Sequence, residues 1–186
     1  MVTIEVDDTI SNIEKRLGKM KHKAPKVLCK SINDTAVWAR SELAKEAQKS
    51  YTVKKGGFYK SMKIKKANYS SLESIISSQG ETLELYKYKY SKGKKTTKAQ
   101  VLRQGGLKTL EKSGIKAFVA QFTSGHKTIA QRVGESRLPI KIFYSNSIPT
   151  MIGSEKRVYG IVEPNIEDKL SEQVEKHIIK VLEGYE

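Results

Sequence analysis

The sequence holds a single cysteine, Cys29. One thiol builds neither a disulfide framework nor a thiolate metal site. Its place on an amphipathic segment marks it as a packed thiol rather than a nucleophile. Histidine is also scarce: His22, His126 and His177 stand far apart and show no ligand spacing. No run approaches the roughly 20 apolar residues that a membrane span needs. The prolines and glycines gather in no linker and no segment repeats another, so one domain is expected over 1–186. Met1 to Asp8 alternates like a strand and does not read as a signal peptide, which makes the chain cytoplasmic at synthesis.

The motifs of common chemistries are missing too. Gly56-Gly57 and Gly105-Gly106 lack the spacing and the following Lys-Ser/Thr of a phosphate cradle. There is no G-x-S-x-G elbow and no H-E-x-x-H. Acidic residues are few and lie mainly on the expected helices, which argues against paired carboxylates or a Mg²⁺ site. Ser124-Gly125-His126 invites a nucleophile–base reading, but neighbouring residues rarely point together and no acid lies nearby in sequence. His126 is therefore read as a turn residue making a hydrogen bond or an interface contact. No catalytic residue, cofactor or metal is expected, and the chain is not read as an enzyme.

What the sequence has is basic charge: 35 Lys and Arg against 20 Asp and Glu, a net +15. Such an excess fits a polyanionic partner or a neighbour with an acidic face. It also fits a Lys-rich soluble surface. Tyr86, Tyr88 and Tyr90 alternate with Lys87 and Lys89. On one strand this would make a stacking platform for single-stranded nucleic acid, or a sheet face covered by a helix with Lys guarding an edge. Ser91 to Lys98 reads as a flexible Lys-rich loop with nothing to bury. Lys87, Lys89, Lys92, Lys94, Lys95 and Lys98 are the candidate contacts for DNA or an acidic partner.

The apolar spacing sets the expected elements. Val2, Ile4 and Val6 form a short strand. A helix capped by Asp8 or Thr9 carries Ile10, Ile13, Leu17 and Met20, with Gly18 weakening it. From Pro25, acceptable in a first turn, an apolar stripe runs through Val27, Leu28, Ile32, Ala36, Ala39, Leu43 and Ala47. That helix approaches ~40 Å in length, more than twice the ~16 Å radius of gyration of such a domain. Lys54 to Gly57 reads as a turn and Phe58 to Met62 as a helical turn. Strands are expected at 62–66, 72–78, 82–90, 99–102, 107–110, 117–122, 128–132 and 138–142. Ser147-Ile148-Pro149 reads as a rigid extended piece. A last helix, capped by Asn165, carries Ile166, Leu170, Val174, Ile178 and Val181. The fold class is α+β: a single domain with a long N-terminal helix and a C-terminal helix packed on a mostly antiparallel sheet.

An ordered set of short motifs resembles one family. Ala24-Pro25 leads to Ser31-Ile32-Asn33-Asp34-Thr35-Ala36, like the family's A-L-N-R-T-A, and Ala39-Arg40 follows. Tyr51 to Lys54 is like Y-x-I-K, and Ile64 to Ala67 lies in a segment like I-x-I-x-K-A. Ala117-Phe118-Val119-Ala120 is like A-F-x-A. Gly125-His126 with Arg132 is like G-H-x-x-V-x-x-R, and Arg137-Leu138-Pro139-Ile140 matches R-L-P-I. Ser145 to Met151 is like G-P-S-V-P-x-M, with Asn146 where the family usually has Pro. Over roughly Ile10 to Leu182 the chain resembles the prophage minor tail protein Z family, the tail completion proteins.

The resemblance implies a structural protein at the head-proximal end of a phage tail or tail-like particle, made in the bacterial cytoplasm. It implies a homo-oligomer, sixfold like other rings in that position. The implied neighbours are the tail terminator, the tail tube or head–tail connector proteins, with DNA in the channel and no membrane. The family's densest motifs fall between Gly125 and Pro149, so Gly125, His126, Arg132, Arg137, Leu138, Pro139, Ile148 and Pro149 are the expected assembly contacts. Arg132 and Arg137 suit bidentate pairs with acidic groups.

Overall fold

A helix of 27 residues runs where the apolar stripe predicts it, and the rest of the chain is laid against it. The computed structural model describes residues 2–3, 9–54, 57–93 and 96–184. In chain order, strand β1 (Val2–Thr3) precedes helix α1 (Thr9–Leu17) and a 3₁₀ segment (Gly18–Lys23) leading into the long helix α2 (Ala24–Ser50). Then come α3 (Gly57–Ser61), β2 (Met62–Lys65), β3 (Ile75–Ser78), β4 (Thr82–Glu84), β5 (Lys89–Lys92) and β6 (Thr97–Gln100). Short strands follow: β7 (Lys108–Thr109), β8 (Glu111–Lys112), β9 (Ile115–Lys116) and β10 (Phe118–Gln121). The last part holds β11 (Lys127–Arg132), β12 (Ile140–Ile142), β13 (Tyr144–Ser147), α4 (Ile148–Ile152), α5 (Tyr159–Val162) and α6 (Pro164–Leu182).

The α+β class holds, with α2 and the C-terminal α6 as its main helices. Val27, Leu28, Ile32, Ala36, Ala39, Leu43 and Ala47 are all buried on α2. Ile166, Leu170, Val174, Ile178 and Val181 form the buried stripe of α6. The small alanines of α2 let neighbours approach its axis closely. Two polar ties cross between helices. His177 on α6 lies 3.0 Å from Asp34 on α2. Arg16 on α1 donates two hydrogen bonds, of 2.5 and 2.7 Å, to Glu175 on α6. That guanidinium holds the Glu175 carboxyl below its ordinary pKa. Cys29 is buried and its thiol donates to the Ala67 carbonyl, so it is the packed thiol expected.

The strands do not form one sheet. Among the described residues they form five small antiparallel ones, in orders β1-β3-β2, β10-β11-β12, β13-β4, β5-β6-β7 and β8-β9. One extended sheet would need long strands, and none of these exceeds six residues.

Several local expectations are corrected. The strand expected over 82–90 breaks into β4, a 3₁₀ turn at Leu85–Lys87 and β5. The turn lets both Leu85 and Tyr88 point inward, where Tyr88 is fully buried and its hydroxyl donates to the Asn146 carbonyl at 2.9 Å. The three tyrosines therefore do not share a face. The loop expected over 91–98 is narrowed to a hairpin tip: Ser91 pairs with Lys98 and Lys92 with Thr97, whose side chain is buried. Lys94 and Lys95 lie outside the described residues. Of Ser147-Ile148-Pro149 only Ser147, the last residue of β13, is extended; Ile148 and Pro149 begin α4. Ser147 caps α4 by accepting from the Thr150 N–H, and Pro149 sits in its first turn. Asn165 does not cap α6. The backbone is already helical at Glu163 and Pro164 opens the helix, so Asn165 lies inside the first turn and donates to the Ile161 carbonyl. Gly18, at φ +53°, ends α1 before Met20 in a left-handed conformation that suits glycine. The first strand is seen at Val2–Thr3, paired with β3; the rest of that expected strand and the proposed Asp8 cap lie outside the described residues.

Candidate functional site

Of the residues expected to make contacts, Gly125, His126, Arg132, Arg137, Leu138 and Pro139 sort onto the two ends of β11. This strand is the middle one of its sheet, between β10 and β12. Five residue steps at about 3.4 Å put roughly 17 Å between Lys127 and Arg132. Gly125 and His126 lie just before its start. Arg137, Leu138 and Pro139 lie in the loop beyond its end.

The start of β11 is built by a tight hairpin. Gln121 pairs with Lys127 across it. The Phe122 N–H donates to the His126 carbonyl and the Gly125 N–H donates back to Phe122, both at 2.9 Å. Gly125 has φ +81°, the left-handed residue that closes a three-residue hairpin loop. His126 is then presented sideways. Its Nε2 lies 3.1 Å from both carboxylate oxygens of Glu84 on β4, and its ring stacks on Phe122 with centroids 6.0 Å apart. The acid absent from the local sequence is supplied by another strand, and it ties the hairpin to β4.

That tie forms one wall of a cavity of about 620 Å³. Val53, Leu83 and Ile148 supply apolar surface, while Lys54, Lys87 and Lys127 add cationic groups. Gly57 forms part of the floor; a Cβ there would meet Ile148 and Val53 at 3.4 and 3.5 Å. Tyr86, also in the lining, packs on Tyr90 with centroids 4.9 Å apart, and the Lys54 ammonium lies 4.8 Å from the Tyr86 ring centre. Of the expected contact residues, Gly125, His126, Ile148 and Lys87 therefore share one cavity. Pro149 faces a second, smaller one beside Met62 and Ile152.

The far end of β11 is a protruding loop. Residues 133–139 are all exposed, with Val133 at 61% and Leu138 at 68%. The Val133 N–H donates to the Pro139 carbonyl, which closes the loop, and the Leu138–Pro139 peptide is cis. Arg132 and Arg137 are exposed, and neither forms an ion pair among the described residues. Of the expected contact lysines, Lys87 lines the cavity beside His126, while Lys89, Lys92 and Lys98 lie on the β5–β6 hairpin. Lys89 pairs with Gln100 and Ser91 with Lys98, so Lys89 and Lys98 project from the same face of β5–β6.

Sequence reasoning missed Val53, Lys54, Gly57, Leu83 and Glu84, because the cavity draws them from separate segments. The one local signal was Glu84, an acid inside a stretch otherwise rich in tyrosine and lysine.

Among the described residues no group of three or more His, Cys, Asp or Glu side chains is placed to hold a metal ion. No described helix is long and apolar enough to cross a membrane. No curated protein and no solved structure matches the chain. The family profile described as prophage minor tail protein Z (GPZ) matches residues 6–185, which include both ends of β11 and both main helices. The chain thus belongs to the prophage minor tail protein Z family and is a structural component of a phage tail.

Proposed function

We propose that the chain is a neck or tail-completion subunit, one copy in a sixfold ring at the head-proximal end of the tail tube. It works as a single unit over 1–186, by contacts rather than by catalysis. Its neighbours are the tail terminator, the tube or the connector.

The observation that carries this reading is the loop at 133–139. It presents two large exposed apolar side chains and Arg137, with Arg132 at the end of the adjoining strand, and neither arginine forms an ion pair among the described residues, on a chain of a tail family. Isolated exposed apolar residues need no explanation. Val133 and Leu138 are different, because they stand at the two ends of a loop closed from Val133 to Pro139, each beside an arginine, Arg132 and Arg137. That combination of apolar and guanidinium groups is the composition of an interface anchor.

The test replaces Arg132 and Arg137 with Ala. The variant is expected to fold normally by circular dichroism, while electron microscopy shows tails that lack their head-proximal cap. Loss of folding would make the arginines structural. Normal folding with completed tails would remove the loop from the assembly.

A second reading has its own observation. Lys89 and Lys98 share an exposed sheet face, with Lys92 on the same hairpin. We assign this face to DNA in the tail channel. Phosphate contacts would give affinity that falls steeply with salt. Binding to duplex DNA that is unchanged between low and moderate salt, or unchanged in a Lys89→Ser, Lys98→Ser variant, would sink it.

A further inference from the structure

The cavity at the start of β11 has an apolar floor and a cationic rim. Val53, Leu83 and Ile148 line it together with Lys54, Lys87 and Lys127. Glu84 is the acid in the lining, and its carboxylate is engaged by His126 at 3.1 Å. Lys87 and Lys127 are exposed and pair with no carboxylate among the described residues. The rim thus keeps an uncompensated positive charge, on a chain whose net charge is already +15. A second copy of the chain would bring more of the same sign. Duplex DNA would bring the right sign, but its phosphates would leave the apolar surface unused, and single-stranded bases would need open aromatic faces to stack on. The Tyr86 and Tyr90 rings instead pack on each other, with Lys54 above them. Half-buried apolar side chains beside exposed lysines fit an acidic polypeptide segment with one large apolar or aromatic side chain. The side chain supplies buried area, and the flanking carboxylates supply orientation and association rate.

We infer that this cavity is the docking site for an acidic, singly anchored segment of another tail component. The inference rests on the reading of the chain as a tail-neck subunit, and it names the chemistry of one neighbour.

The experiment places a photo-crosslinking amino acid at Lys87 in one preparation of intact tails and at Arg137 in another. The captured peptides are sequenced by mass spectrometry. At Lys87 the expected capture is a peptide of a different tail protein with an excess of Asp and Glu and at least one Leu, Phe, Tyr or Trp. Its synthetic copy should bind the purified full chain. Affinity should drop at least about tenfold when the anchor becomes Ser, and likewise in a Lys87→Glu, Lys127→Glu variant. Both lysines are exposed, and circular dichroism checks that the variant folds. Capture of DNA, of a second copy of this chain or of a peptide without acidic excess overturns the proposal. So does binding that ignores the anchor or the two lysines. A crosslink at Arg137 with none at Lys87 leaves the tail-neck reading standing and the docking site refuted. No crosslink at either position refutes both.

Discussion

Asn33 on α2 pairs with the backbone of Ala67 in both directions: its Nδ2 donates to the Ala67 carbonyl at 3.1 Å, and its Oδ1 accepts from the Ala67 N–H at 2.8 Å. The side chain mimics one rung of a strand ladder and fastens the chain just after β2 to the long helix. Ala67 is buried, so without Asn33 its N–H would lack a partner and its carbonyl would keep only the weak Cys29 thiol donor. Asn33→Ala is expected to cost about 1–3 kcal/mol in urea unfolding, the range for leaving buried polar groups unpaired. A loss below about 0.5 kcal/mol would show that water replaces the amide.

Leu43, on the buried stripe of α2, is 1% exposed. Leu43→Ala should lower stability by about 2–5 kcal/mol in urea unfolding. A loss of less than half the lower figure would mean that the helix is not held against the core at this point.

Gly125 is the left-handed residue of the hairpin that presents His126. Space is not the obstacle to a side chain there, since a Cβ would meet nothing within 4 Å. The backbone is the obstacle, and Gly125→Ala should cost roughly 1–2 kcal/mol on conformational grounds. A neutral result by thermal and urea unfolding would show that the turn relaxes to another type.

Leu138 is 68% exposed at the tip of the loop. Leu138→Ser should therefore change monomer stability by less than about 0.5 kcal/mol. The same substitution is expected to block tail completion. Complementation with normal tails would show that the tip is not an anchor.

Tyr159 donates to Glu163 at 2.5 Å, and this hydrogen bond, helped by burial and by the charges of Glu163 and Glu155, raises its pKa to about 12. The folded-state value lies above the unfolded one of roughly 10. The interaction thus contributes stability below about pH 10 and loses it as pH rises towards 12. Tyr88 also titrates late, because burial disfavours its anion. An alkaline absorbance titration should show a late tyrosinate step that shrinks in Tyr159→Phe. An unchanged step would remove Tyr159 from that group.

The two main helices were legible because each buries a continuous stripe, and a stripe of that length has one explanation. The middle of the chain was not. Alternation places Tyr86, Tyr88 and Tyr90 on one strand face, yet it carries no information that Tyr88 can reach the Asn146 carbonyl once a 3₁₀ turn intervenes. Pro149 was read as stiffening an extended piece, although a proline suits a helical first turn equally well; Ser147, positioned to cap Thr150, was the signal that decides. The motif residues around β11 were found, but their division into a cavity end and a loop end was not. That division depends on Glu84 and Lys54, which only the fold brings beside His126.

The pairing of α2 with α6 bears on how the protein is made. Residues 51–163 separate the two helices. At about 5–20 residues per second of synthesis, α2 waits roughly 6 to 23 s for its partner. During that interval the part of its core stripe that faces α6 lacks its partner. The stripe contains Ala24, Ala36, Ala39, Ala44 and Ala47. Methyl groups expose little apolar area per residue, so these positions offer less for stray chains to grip than the Val27, Leu28, Ile32 and Leu43 of the same stripe. Ribosome-bound chains cut short before Pro164 therefore leave uncovered the side of α2 that α6 packs against.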